Sequence, residues 1–300
     1  MKRDGIATLL TPEHLQRLRT LVLQSRYVVE GNLAGAHRSP LKGSSAEFAD
    51  HRSYIQGDDP RHIDWKVFGR TDRYYIRRYE TETNLRVYLV VDRSASMGYG
   101  SKDITKYRYA CHLSAALGYV VVKVRDSVGL FLHSNKIDAQ MATGNTFLHL
   151  NNLLSQLLAH EPAETTEIAR TLHQVADSVH KRALIVILSD LFDDTERVLQ
   201  ALAHFRKQHH DVIVCHVLDP MELDFGFTKA TQFEDMETKE VIAVDPPALA
   251  EAYRKVFGEF LETVRKGCAA LNVDYRLART DRDVDSFARA YLEERRRLSR

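Results

Sequence analysis

Two uninterrupted apolar runs, Val87-Tyr88-Leu89-Val90-Val91 and Leu184-Ile185-Val186-Ile187-Leu188, constrain the fold more than any other feature of this chain. A strand that is apolar at every position has to be covered on both faces, as strands of parallel sheets flanked by helices are. From residue 85 onward, segments of helical spacing alternate with short strand-like runs. Strands are expected at 74–79, 85–91, 127–132, 183–188, 212–218 and 272–278, with 136–141 as an antiparallel mate of 127–132 and a hairpin over 228–244. Helices are expected at 106–125, 145–159, 166–180, 194–208, 247–270 and 284–298. Alternation of this kind predicts an α/β fold: a doubly wound, mostly parallel, Rossmann-type sheet with helices on both faces.

Both apolar runs end on oxygen ligands. The first continues into Asp92-Arg93-Ser94-Ala95-Ser96 and a Gly-rich turn, the second into Ser189-Asp190. Thr165-Thr166 opens the helix that leads into the second run. Open α/β sheets bind ligands at the carboxyl ends of their strands, so Asp92, Ser94, Ser96, Thr166 and Asp190 are expected on one exposed rim, with Thr165 as the alternative threonine. Carboxylates and hydroxyls without nitrogen or sulfur suit a small hard cation that keeps several waters, Mg²⁺ or Mn²⁺. A plainer reading is that Ser and Asp merely cap a helix where the strand ends.

Here the chain resembles the von Willebrand factor A domain, whose metal-ion-dependent adhesion site combines an Asp-x-Ser-x-Ser loop with a later Thr and a later Asp. The resemblance spans residues 86 to about 280. It implies that the five residues hold the ion and that Thr166 is the threonine. The Gly-rich approach usual in that family is replaced here by Glu161-Pro162-Ala163-Glu164.

The amino-terminal part reads differently. Thr11, Pro12, Leu15, Leu18, Val22 and Tyr27 predict a capped helix over 11–30, followed by a turn-rich link. Residues 44–72 are polar and poor in aliphatics. Arg52, Arg61 and Arg70 alternate there with Asp58, Asp59 and Asp64, which predicts a bidentate ion-pair network. Trp65, the only tryptophan, is expected to anchor the segment by burying its ring. The expected domains are 1–84, an N-terminal helical and polar-network extension packed on the sheet domain, and 85–300, the α/β domain. The elements Gly43-x-x-x-Glu47-Phe48-x-Asp50-x-Arg52-x-Tyr54, Gly57-Asp58-Asp59-x-Arg61-x-Ile63-Asp64-Trp65, Arg70-Thr71 and Glu80-x-Glu82 resemble the prokaryotic family known as domain of unknown function 58. Many members accompany MoxR-type AAA+ ATPases, so the resemblance implies such an ATPase, or its client, as a partner. Segment 57–70 then serves either to fold the extension or to recognise that partner.

Composition narrows the classes. Lys plus Arg number 42 against 41 Asp plus Glu, so no global field favours nucleic acid or anionic lipid. Cys111, Cys215 and Cys268 are far apart and odd in number, as buried thiols of a reducing compartment would be. No secretory leader and no uncharged run of spanning length is read, so the chain is expected in the cytoplasm. A P-loop and a complete dinucleotide fingerprint are both missing. Ser94 has no histidine or lysine placed near it by sequence to make it a nucleophile.

The expectation is therefore a non-enzymatic, Mg²⁺-dependent protein-interaction module. The alternative is a metal-dependent hydrolase of phosphoryl or acyl substrates, with Glu161, Glu164 or Asp193 as base.

Overall fold

In the computed structural model, the described residues are 5–19, 21, 47–55, 58, 60–80, 85–163, 167–227, 231–234, 241–244 and 246–298. The elements in chain order are α1 (Gly5–Leu9), α2 (Pro12–Leu18), β1 (Glu47–Ser53), α3 (Trp65–Thr71), β2 (Tyr75–Glu80), β3 (Arg86–Asp92), α4 (Lys106–Lys123), β4 (Ser127–His133) and β5 (Ile137–Gly144). They continue with α5 (Phe147–Ala159), α6 (Ile168–Ser178), β6 (Leu184–Ser189), α7 (Thr195–Lys207), β7 (Asp211–Leu218), α8 (Pro220–Asp224), β8 (Thr231–Glu234), β9 (Val241–Val244), α9 (Pro246–Ala270), β10 (Asp274–Arg279) and α10 (Val284–Leu298).

The chain forms two compact units, Met1–Arg26 with Leu85–Arg300, and Tyr27–Asn84. The N-terminal helices thus share the core of the α/β unit. Leu9 and Leu18 are the reason: both are buried in the same cluster as α4, α5 and α10.

The main sheet runs in the order β10-β7-β6-β3-β4-β5. β3 pairs in parallel with β4 and β6, β6 with β7, and β7 with β10; β5 alone is antiparallel, the return strand of a hairpin with β4. Numbered along this sheet from β3, the order is 3-2-1-4-5-6, the doubly wound arrangement whose direction reverses between the first and fourth strands. Those are β3 and β6.

Alternation along each strand feeds two cores. Val87, Leu89, Val91, Leu184, Val186 and Leu188 face one cluster, and Val90, Ile185 and Ile187 face the other. Every residue of β6 and β7 is buried, as the apolar runs require. Each such aliphatic side chain contributes roughly 1.5–3 kcal/mol on burial. Cys111, Cys215 and Cys268 are free and buried within these cores, where burial pushes all three thiols up to about 12.

One carboxylate in this unit works against the fold. Asp126 is 7% exposed, and its Oδ1 accepts a hydrogen bond of 3.0 Å from the Leu85 amide. Burial pushes its carboxyl up to about 6, which the Leu85 bond only partly opposes. A carboxyl raised in the folded state contributes fully below about pH 4 and loses that contribution as pH rises through 6. Asp126→Asn keeps the acceptor oxygen and should raise stability by about 1–2 kcal/mol at pH 7, with the gain vanishing near pH 4. Urea unfolding at the two pH values checks this.

In the second unit, β1 and β2 pair antiparallel. Arg52 Nη2 donates to both oxygens of Asp58 at 2.8 Å, a contact through one nitrogen where sequence predicts a two-nitrogen fork. The Ile55 amide and this guanidinium hold the Asp58 carboxyl below its usual range. Asp64 caps α3, accepting from the Lys66 and Val67 amides. Trp65 departs from expectation. It opens α3 and is 59% exposed, touching Phe68 and Tyr74 edge-on, while Phe68 and Tyr74 stack with centroids 4.5 Å apart. Gly57 and Asp59 lie outside the described residues.

Candidate functional site

Asp92 ends β3 and Asp190 directly follows β6, so the two carboxylates stand at the point where the strand order reverses. Both are fully buried, where sequence predicts an exposed rim, while Ser96 of the same motif is partly exposed. Asp92 Oδ1 accepts from the Ser94 amide at 2.8 Å, and Oδ2 accepts from Ser189 Oγ at 2.7 Å. Ser189 Oγ in turn accepts from the Leu191 amide, so a short chain of hydrogen bonds links the two strand ends.

The hydroxyls of Ser94 and Ser96 lie 3.1 Å apart. Ser94 makes no side-chain cap bond to the 3₁₀ turn Ala95–Gly98, and α4 is capped later by Thr105. The capping reading therefore does not account for these hydroxyls. Thr166 and Thr165 lie outside the described residues. The loop leading to them is tied beside the motif by Arg93. Its guanidinium reaches Asp138 Oδ2 at 2.8 Å and the Glu161 carbonyl at 2.7 Å, and its own carbonyl accepts from the Ala163 amide.

Sequence reasoning missed the cation in this pocket. Lys106 is fully buried; its Nζ donates to Asp190 Oδ2 at 2.8 Å and Glu222 Oε1 at 2.6 Å, and sits 4.7 Å from the Phe192 ring centroid. Burial pulls its pKa down, but the charges of Asp190 and Glu222 outweigh this and leave it raised. A signal was present: Lys106 is the first residue of α4, where the helix dipole disfavours positive charge. A lysine there needs acidic partners. Gly100 shapes the loop that delivers it, since a Cβ at Gly100 would lie 2.5 Å from the Ile104 carbonyl oxygen. The acidic partner Glu222 belongs to a capping box with Asp219, legible in Asp219-Pro220-Met221-Glu222.

Two histidines also border the carboxylates. His216 is fully buried, with Nδ1 2.8 Å from Tyr275 Oη and Nε2 2.7 Å from the Asp190 carbonyl. His133, the register partner of Asp92, pairs Nδ1 with Thr171 Oγ1 at 3.1 Å and leaves Nε2 buried without a hydrogen bond.

The residues present fit a hard cation. Four carboxylates, Asp92, Asp190, Asp219 and Glu222, share this region with one ammonium, and burial pushes the Asp92 carboxyl upward. His133 opposes that rise and Asp190 adds to it, so Asp92 leans towards the neutral acid unless a nearby positive charge offsets its burial. Adjacent ligands of an octahedral Mg²⁺ with bonds of about 2.1 Å lie about 3 Å apart, as the two serine hydroxyls do. Asp193, a candidate base on sequence grounds, is used otherwise: its oxygens accept from the Ala169 and Asp194 amides.

Comparison with known proteins agrees with the signature in the N-terminal segment. The family described as protein of unknown function DUF58 matches residues 50–265, and the chain belongs to it. A relative, uncharacterized protein Rv1480 of Mycobacterium tuberculosis (strain ATCC 25618 / H37Rv), is 26% identical over 296 residues, covering 95% of this chain and 91% of its own length. Among solved structures, conserved hypothetical protein BatB from Bacteroides thetaiotaomicron aligns over 72% of this chain and 98% of its own, with 15% identity and a TM-score of 0.45. The SpRpn10 VWA domain aligns over 70% and 95%, with 8% identity and a TM-score of 0.43. No helix among the described residues is long and apolar enough to cross a membrane.

Proposed function

We propose that this protein is a metal-dependent protein-interaction module. In this reading Asp92, Ser94, Ser96 and Asp190, with Thr166, hold Mg²⁺ or Mn²⁺ directly or through water. The observation that carries the reading is the surplus of buried carboxylate at the strand-order reversal, next to two hydroxyls spaced as cis ligands. The ion would supply a fixed positive charge on which a partner's carboxylate can close. In this reading Asp190 keeps Oδ2 on the Lys106 ammonium and turns Oδ1, which also accepts from the Phe192 amide, towards the ion. The partner proposed is a MoxR-type AAA+ ATPase or its client, in the cytoplasm, and the site performs recognition without turnover.

The test begins with calorimetry of Mg²⁺ binding. Asp92→Asn is the informative variant, because Asp92→Ala would leave the Ser189 hydroxyl and Ser94 amide without their acceptor. Affinity is expected to fall more than about tenfold in Asp92→Asn. A pull-down with a purified MoxR-type ATPase should then require Mg²⁺ and fail with EDTA. Unchanged affinity in the variant sinks the ion assignment. Metal-dependent hydrolysis of phosphoryl or acyl substrates by wild type alone sinks the non-enzymatic reading.

A further inference from the structure

A second set of metal-type ligands lies away from the Asp92 pocket, where α2 meets the start of α10. The ligand atoms of His14, Asp283 and Asp285 all lie within 4.8 Å of one another. His14 Nε2 stands 3.9 Å from Asp285 Oδ2. These residues line a cavity of about 210 Å³ that Tyr109 and Thr280 also border.

Proximity of acidic groups would not by itself indicate a ligand. The second observation is the state of the buried atoms. The Asp285 side chain is 4% exposed, and neither carboxylate oxygen has a hydrogen-bond partner. Tyr109, 1% exposed, lines the same cavity, and its hydroxyl is equally without one. Buried polar groups are nearly always satisfied, so two unsatisfied ones bordering one cavity point to a missing partner. The neighbouring cation pairs with Asp285 by charge but fills that place only in part. Arg17 approaches Asp283 and Asp285 at 3.6 Å each, beyond hydrogen-bond distance, and its side chain is 53% exposed.

We propose that His14, Asp283 and Asp285 form a site for a divalent transition-metal ion of the Zn²⁺ or Mn²⁺ type. One imidazole nitrogen with two carboxylates favours such an ion over Mg²⁺, which prefers an all-oxygen shell. Two carboxylates balance its charge, and Arg17 is free to turn towards water as the ion enters. The Tyr109 hydroxyl then has a metal-bound water as partner within the cavity. His14 Nδ1 now faces the Thr11 amide at 3.3 Å. Binding through Nε2 puts the ring proton on Nδ1 and releases that long bond, on a cap open to water. The ion would bolt a helix from the start of the chain to one from its end.

The experiment uses the full chain carrying Asp92→Asn, which separates this site from the first. Calorimetry with Zn²⁺ should show one site in this background, with Mg²⁺ binding far more weakly. Co²⁺ should give the visible absorption of a nitrogen–oxygen ligand set. His14→Gln, at a partly exposed position that leaves the core intact, and Asp285→Asn should each weaken Zn²⁺ binding more than about tenfold. Zn²⁺ should raise Tm in the Asp92→Asn protein and leave it unchanged once His14→Gln is added. Absence of Zn²⁺ binding, or binding indifferent to both substitutions, overturns the proposal.

Discussion

Lys106→Met should lower the unfolding free energy by about 3–5 kcal/mol at pH 7, the largest effect of any single substitution considered for this protein. The length of the side chain is preserved, so packing changes little. What changes is charge. Asp190 and Glu222 lose the ammonium that each now meets at hydrogen-bond distance, and two buried carboxylates are left facing one another. Removing a single partner from a buried ion pair leaves an uncompensated charge, which is far more destabilising than deleting the whole group. Adding Glu222→Gln to Lys106→Met should therefore recover part of the loss, as should acidification that protonates the freed carboxylates. Urea unfolding of the single and double variants measures both. A Lys106→Met protein as stable as wild type would mean that the triad does not carry the charge balance of the pocket.

The second large effect concerns acid. His216 is fully buried between the Asp190 carbonyl and Tyr275, and burial holds its pKa at about 4, against 6.5 for the free side chain; the Asp190 hydrogen bond and charge only partly oppose this. The folded state thus prefers the neutral ring. Its contribution is fully present above about pH 6.5, declines as pH falls, and is spent below about pH 4. The gap is worth about 3 kcal/mol. Several buried carboxyls with raised pKa, Asp126 among them, slope the opposite way, so the total pH profile does not isolate this residue. The difference between wild type and His216→Gln does. It should narrow by about 3 kcal/mol between pH 7 and pH 4, and a difference that is constant over this range contradicts a neutral buried imidazole.

What could be read from sequence follows from where the physics is local. β3, β6 and β7 were legible because strands buried on both faces are apolar at nearly every residue, and no helix pattern of that length competes. That legibility carried the site with it, since Asp92 and Asp190 are simply where two such runs end. β1 was illegible: Glu47, Asp50, His51 and Arg52 interrupt any apolar alternation, and pairing with β2 supplies what the residues do not. α3 was missed because seven residues containing Gly69 show no period. Trp65 misled because tryptophan is usually buried by its partners, and here the rings of Phe68 and Tyr74 meet only its edge. The remainder of the pocket, Ser189 on Asp92, His216 on Asp190, Glu222 on Lys106, depends on side-chain packing across elements. Spacing along the chain hints that Lys106 needs an acidic partner and does not say which residue supplies it.

The carboxylates and their partners are contributed from far apart: Ser189 lies 97 residues from Asp92, and Lys106 is 84 from Asp190 and 116 from Glu222. No fragment that lacks β6 or α8 possesses this pocket, however well it folds. Whatever binds here therefore requires β3, α4, β6 and α8 to be folded together. By the same linkage, a ligand at that address adds its binding free energy to global unfolding and leaves local fraying untouched.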